Sequence, residues 1–198
     1  MFKIGLLSSK ADYLIDSFND YFKNKDVQIV CISNDEHSDF FKKAQNQNLE
    51  YKYLTPERNF EYFSSNNFDI VAVCGYDDII KKDVLETGRF VSLHESLLPA
   101  FKGADTLYRS FSAGVKVSGV TIYSLTDEDF DGKIIAQYPV LIGNLTHFDE
   151  FKDEMHSVEK MLYPIVVDKL LKDEVFDFSD LINVNKCSNS CNSCSGCN

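Results

Sequence analysis

The first half of the chain alternates short apolar runs with segments whose apolar residues recur every three or four positions. That alternation constrains the fold more than any other feature. "FKIGLL" precedes the amphipathic "ADYLIDSFNDYF", and the β-branched "VQIVCIS" precedes the helical pattern "HSDFFKKAQNQ". "LEYKYL" reads as extended, Pro56 opens a short helix, and "FDIVAVCGY" is the clearest central strand. "DDIIKKDVLETG" reads as a helix ended by Gly88, followed by the strand "RFVSLH". Strands this apolar must be covered on both sides. The βαβα order therefore predicts an α/β fold, a parallel doubly wound sheet with helices on both faces.

After residue 113 the pattern changes. "VSGVTIYSL" and "KIIAQYPVLI" are separated by an acidic loop with no helical segment between them, so they are expected to pair antiparallel. A long amphipathic helix follows over residues 148–171, with a kink expected at Pro164. "EVFDFSDL" is expected as a last extended segment. Beyond it Asn, Ser and Cys replace the apolar pattern. Residues 1–183 thus read as one domain and 184–198 as a tail.

A chain of 198 residues with 44% hydrophobic residues can bury one full core. Its formal charge of -11 argues against nucleic-acid or anionic-membrane binding, which need basic patches. The N-terminal apolar run is too short for a signal peptide, and no segment approaches a membrane-spanning length. A cytoplasmic protein is expected.

In doubly wound sheets, ligands bind beyond the carboxyl ends of the strands. His94 stands at such an end, in "VSLHESLLPAFKG", where Pro99 forces a turn. A lone histidine there is more often structural than catalytic, and the Asp131-Gly132 pair in "TDEDFDGKI" reads by itself as turn chemistry. The two together carry more.

"SLHESLLPAFKGADTLYRSFSAGVKVSGVTIY" followed by "LTDEDFDGKIIAQ" resembles the folate-dependent formyltransferases. "SVEKMLYPIVVDKLL" points to their glycinamide ribonucleotide branch, which would mean purine biosynthesis if that nucleotide is the acceptor. The resemblance implies a Rossmann-like, mostly parallel twisted sheet. It also implies transfer of a formyl group from formyl-tetrahydrofolate to a primary amine. His94 and Asp131 match the family's catalytic positions. A protonated imidazole would hold the oxyanion of the tetrahedral intermediate, and a nearby carboxylate would raise its pKa and shuttle the amine's proton. Gly75, Tyr76, Asp77 and Ile80 correspond to a stretch whose backbone edge pairs with the pterin. Arg58 would meet the donor's glutamate tail, and Glu159 matches a glutamate that contacts the substrate's ribose.

The chain departs from the family at two places. Ser92 stands where the family has asparagine, so a hydroxyl replaces an amide donor; losing one oxyanion donor costs on the order of a hundred- to a thousandfold in rate. The first loop reads "SSKADYL", with Ala11-Asp12-Tyr13 in place of a Gly-Ser-Asn phosphate-binding run. Ser8, Ser9 and Lys10 remain as candidates for an anion site. These departures keep a rival reading open: a catalytically silent relative that binds a small ligand, or a metal through its tail.

That tail carries Cys187, Cys191, Cys194 and Cys197, spaced C-x₃-C-x₂-C-x₂-C. Four thiolates suit a zinc ion or an iron–sulfur cluster. The alternatives are thiols that never act together, or a modified peptide segment. Cys31 and Cys74 sit inside apolar runs and read as buried hydrophobes. No aliphatic or aromatic residue follows Val184, so the tail has little to bury. Truncation before Cys187 is expected to move the melting temperature by less than about 2 °C. A large drop in a thermal melt would show that the cysteines staple the fold.

Overall fold

The computed structural model describes residues 1–127, 132–144, 146–179 and 181. Seven strands form one sheet in the order β3-β2-β1-β4-β5-β6-β7. They are β1 (Phe2–Leu7), β2 (Val27–Ser33), β3 (Glu50–Tyr53), β4 (Ile70–Val73), β5 (Phe90–His94), β6 (Val117–Ser124) and β7 (Ile134–Leu141). Strands β1 to β5 pair in parallel. The direction reverses at β6, which runs antiparallel to both β5 and β7. The expected mixed α/β architecture is therefore present, with its antiparallel strands at the C-terminal edge.

Period-two alternation sends each parallel strand's side chains to two cores. Ile4, Leu6, Cys31, Ile70 and Ala72 face one core, shared with helices α1 (Tyr13–Phe22), α2 (Asp39–Asn46), α5 (Thr106–Ser112) and α6 (Phe148–Leu171). Leu7, Val30, Ile32, Val71 and Val73 face the other, packed by Phe63 of α3 (Asn59–Ser65) and Val84 of α4 (Lys82–Leu85). Helix α2 starts where Ser38 accepts from the Phe41 amide, an ordinary N-cap. Helix α6 runs through Pro164 as one element of 24 residues. Its Tyr163 is fully buried, and the hydroxyl donates in bifurcated fashion to Val73 O at 3.0 Å and Val91 O at 2.8 Å. That bond anchors α6 under the strand ends on which the site is built.

Two local expectations fail. The helix expected over residues 77–88 shrinks to the single turn of α4. The reason is local competition: the Asp77 amide donates to Ser9 Oγ and the Ile79 amide to Asp78 Oδ1, so this stretch hydrogen-bonds outside a helix. The segment 174–177 is irregular rather than extended. Phe176 packs on the main core instead, and Leu181 is buried there. The tail cysteines lie outside the described residues.

Gly119 of β6 is a point of close approach. A Cβ there would lie 2.2 Å from Tyr138 O, across the β6–β7 pair, and 2.8 Å from Leu97 Cδ2. The carbonyl cannot yield without breaking the ladder. Gly119→Ala is expected to cost at least about 2 kcal/mol in denaturant unfolding; a change under about 0.5 kcal/mol would show that β7 sits farther from β6 than described here.

Candidate active site

The carboxyl ends of β4 and β5 open onto a cavity of about 790 Å³. His94 and Ser92 of β5 line it together with Lys10, Gly75, Tyr76, Asp77 and Ile80. The approach to the Asp131 loop, at Tyr123, Leu125 and Thr126, lines the same space. Asp131 itself lies outside the described residues. Its neighbour Gly132 is described, and a Cβ there would fall 1.5 Å from Ser124 O, so only glycine fits that turn.

His94 is held by a loop with few free bonds. Thr121, opposite His94 on β6, donates to Ser96 O at 2.6 Å and accepts from the Leu98 amide at 3.0 Å. Gln137 of β7 donates to Leu98 O at 2.8 Å, and Ser96 Oγ donates to Ala100 O at 2.6 Å. Phe101 takes a φ of 53°, a left-handed backbone that costs a non-glycine residue about 1–2 kcal/mol. That geometry presents its carbonyl 3.1 Å from His94 Nε2. A carbonyl only accepts, so the hydrogen in this bond sits on Nε2, and in the neutral ring Nδ1 carries the lone pair. Thr106 Oγ1, which donates to Gly103 O, lies 3.4 Å from the same nitrogen.

Burial pushes the His94 pKa down; the Phe101 carbonyl raises it, and Arg109 lowers it further. The described surroundings thus favour a neutral ring at rest, whereas the sequence suggested a charged one.

The anion site expected at Ser8, Ser9 and Lys10 is bonded internally. Ser8 is fully buried, and its hydroxyl accepts from the Lys10 and Ala11 amides at 3.1 and 2.8 Å. Ser9 Oγ donates to Asn34 and accepts from Asp77 N. Lys10 pairs with Asp77 at 2.8 Å. The Asp12 carboxylate lies 3.8 Å from Lys43 Nζ. Along the expected folate edge, the amides of Asp77 and Ile79 are likewise used within the protein. Arg58 lines a separate hollow of about 200 Å³ with Lys52 and Glu61, so the structure does not bring it to the cavity.

Glu159 sits beneath the cavity on α6, fully buried. Tyr13 donates to its Oε2 at 2.5 Å, while among the described residues Oε1 has no hydrogen-bond partner. Burial, then the charge of Glu95, raises the Glu159 pKa to about 8 against the Tyr13 hydrogen bond. Burial also raises Glu95, with Lys152 opposing, and lowers His156. Tyr13, Glu95 and His156 all line the cavity, and none was expected from the sequence. The available signal was "HSVE", a histidine and a glutamate three apart on a helix.

Residues 21–167 match the family described as Formyl transferase. This match spans most of the chain, and the chain belongs to that family. It is 33% identical over 128 residues to the phosphoribosylglycinamide formyltransferase of Bacillus subtilis (strain 168), covering 63% of this chain and 65% of that one. It is 28% identical over 173 residues to formyltetrahydrofolate deformylase 2, mitochondrial, of Arabidopsis thaliana, covering 80% and 52%. The chain thus spans between about half and two thirds of these relatives' lengths. The fold is also that of the solved glycinamide ribonucleotide transformylase 1 from Symbiobacterium toebii, with TM-score 0.82 and 22% identity over 90% of this chain and 92% of that one. Among the described residues, no helix is long and apolar enough to cross a membrane.

The lowered pKa of His94 has a measurable sign. A buried histidine with a depressed folded pKa binds its proton later than the unfolded chain does, so it removes stability as pH falls through the unfolded value near 6.5. NMR titration of the ring is expected to show a midpoint below about 6.5. A midpoint above 7 would show that a carboxylate outweighs burial.

Proposed function

We propose that the protein transfers a formyl group from formyl-tetrahydrofolate to a primary amine that carries no phosphate near the first loop. The observation that carries this reading is the single cavity in which His94, Ser92 and the strip from Gly75 to Ile80 meet. The family supplies the reaction class, and the cavity, at about 790 Å³, is in the size range of small-molecule sites.

In the proposed reaction, the amine nitrogen attacks the formyl carbon. The carbonyl electrons move to oxygen, and the bond to the folate nitrogen then breaks as that nitrogen takes a proton. With Nε2–H held by the Phe101 carbonyl, His94 stabilises the oxyanion as an imidazolium, donating from Nδ1 once that nitrogen has taken up a proton. The Thr121 and Phe101 contacts hold its ring in place, so little reorganisation is needed when charge develops. Ser92 offers one hydroxyl donor, and Asp131 takes the amine's proton through water.

The bonding of the first loop supports an acceptor without phosphate. Ser8 already holds the Lys10 and Ala11 amides, which an anion site would otherwise offer. Asp12 adds repulsion. At about 5 Å and an effective dielectric near 20, one pair of unit charges repels by roughly 3 kcal/mol. Lys43 and solvent reduce that figure, because Asp12 is 39% exposed. A penalty of about tenfold in affinity remains. Glycinamide ribonucleotide is thus a poorer acceptor than its unphosphorylated riboside.

The rival reading, a silent binding protein, rests on Ser92 in place of an amide donor. Deformylated folate would be followed with both amines and with variants. His94→Ala is expected to lower transfer by at least about a hundredfold, and Ser92→Asn to raise it by at least about tenfold. Micromolar binding of the ribonucleotide would overturn the choice of acceptor. Folate binding without transfer to any amine, in the natural chain and in Ser92→Asn alike, would establish the silent reading.

A further inference from the structure

We propose that Glu95, His156 and Glu159 form a binding site for a divalent transition-metal ion, with zinc as the ion its donors suit best. Glu95 and His156 line the same cavity with Glu159 beneath it, and the resemblance gives Glu159 to the substrate's ribose, but the binding test requires neither folate nor amine.

One ligand atom from each of the three residues lies within 4.8 Å of the others. His156 and Glu159 are three apart on α6 and share a face of the helix. Glu95 comes from the loop that follows β5, and its Oε1 lies 3.9 Å from His156 Nε2. Ligands about 2.0–2.2 Å from a tetrahedral ion are roughly 3.4 Å apart. The pair at 3.9 Å therefore needs to close by about 0.5 Å, and the widest gap by up to about 1.4 Å. Glu95 is the member able to move, since its side chain is 33% exposed.

Independently of that clustering, Glu159 carries an unsatisfied oxygen. The residue is fully buried, and among the described residues its Oε1 meets no hydrogen-bond partner. A buried acceptor without a partner is unfavourable unless something fills the place. A hydrogen bond to Oε2 does not relieve it. A cation at Oε1 does, and it also relieves the closeness of the second carboxylate, Glu95.

The supports around the three groups match those of metal sites, where outer contacts orient the ligands. Tyr13 provides both. Its ring stacks on His156, with centroids 4.1 Å apart and planes 15° from parallel. Its hydroxyl donates to Glu159 Oε2, directing Oε1 as the remaining ligand atom. One imidazole and two carboxylates form a borderline donor set that suits zinc and related ions better than calcium or copper(I). Glu95 and His156 line the large cavity, so the remaining coordination positions open into the space that His94 also lines. Three protein ligands with an open side is the pattern of metal sites that take an exogenous ligand.

The tail thiolates are potential metal ligands, so they are removed for the test. The test uses the full-length chain with Cys187, Cys191, Cys194 and Cys197 changed to serine, titrated with Co²⁺ in the absence of folate or amine. Cobalt is the probe because its visible bands report geometry, and thiolate ligands add charge-transfer bands in the near ultraviolet. One saturable equivalent is expected, with visible bands, no thiolate charge transfer, and displacement by Zn²⁺. His156→Gln and Glu95→Gln are each expected to weaken binding by at least about tenfold, and Tyr13→Phe by about tenfold through loss of orientation. Far-ultraviolet circular dichroism checks each fold, and the partly exposed Glu95 gives a variant that does not disturb the core. No saturable binding, binding unchanged in Glu95→Gln and His156→Gln, or thiolate bands from Cys74 would overturn the proposal. Metal binding and formyl transfer are read separately, so either can fail alone.

Discussion

The site depends on one hydroxyl group. Thr121 stands on β6 where the sheet changes direction, and it bridges Ser96 O and Leu98 N across the strand pair. A parallel neighbour would need a crossover helix and would place a different register beside β5. The antiparallel step instead lays β6 and β7 under the loop after His94. Gln137 then adds a second contact to the same loop. Buried and bonded to Ser96 O, Leu98 N and Gln137 Nε2, Thr121 converts a sheet reversal into a fixed imidazole. The left-handed Phe101 backbone is the cost of aiming a carbonyl at that ring.

The cavity beside it is sharply divided in charge and hydrogen bonding. On the first-loop side, Ser8, Ser9 and Lys10 are bonded to the protein, leaving a wall that offers little to an anion. On the α6 side, Glu159 is buried with an oxygen that no described residue pairs, next to Glu95 and His156. Unsatisfied acceptors attract cations and donors, so this wall suits an amine, a polyol or a metal ion better than a phosphate. The two walls therefore argue in the same direction about what the cavity holds.

The parallel core was legible in the sequence because burial on both faces leaves an unbroken apolar run, and no local chemistry competes with it. Residues 77–81 misled for the opposite reason. Their acids suit a helix start, yet Asp78 bonds the Ile79 amide and Ser9 takes that of Asp77, a contact spanning 68 residues. That His94 and Ser92 stand at the cavity was legible through their motif. The cluster of Tyr13, Glu95, His156 and Glu159 was not, because it joins three distant segments and only His156 and Glu159 share a local spacing. Ser8 was read as an anion ligand because its serine chemistry is visible in sequence, while the direction of its hydroxyl is set by the turn.

The central claim is that the cavity at His94 holds the folate donor. A crystal structure of the protein with a non-transferring folate analogue tests it most directly. The account predicts the pterin against the strip from Gly75 to Ile80, with the position of the formyl carbon beside His94 and Ser92. A pterin bound elsewhere, such as the hollow lined by Arg58, would contradict it, as would a cavity left empty at saturating analogue.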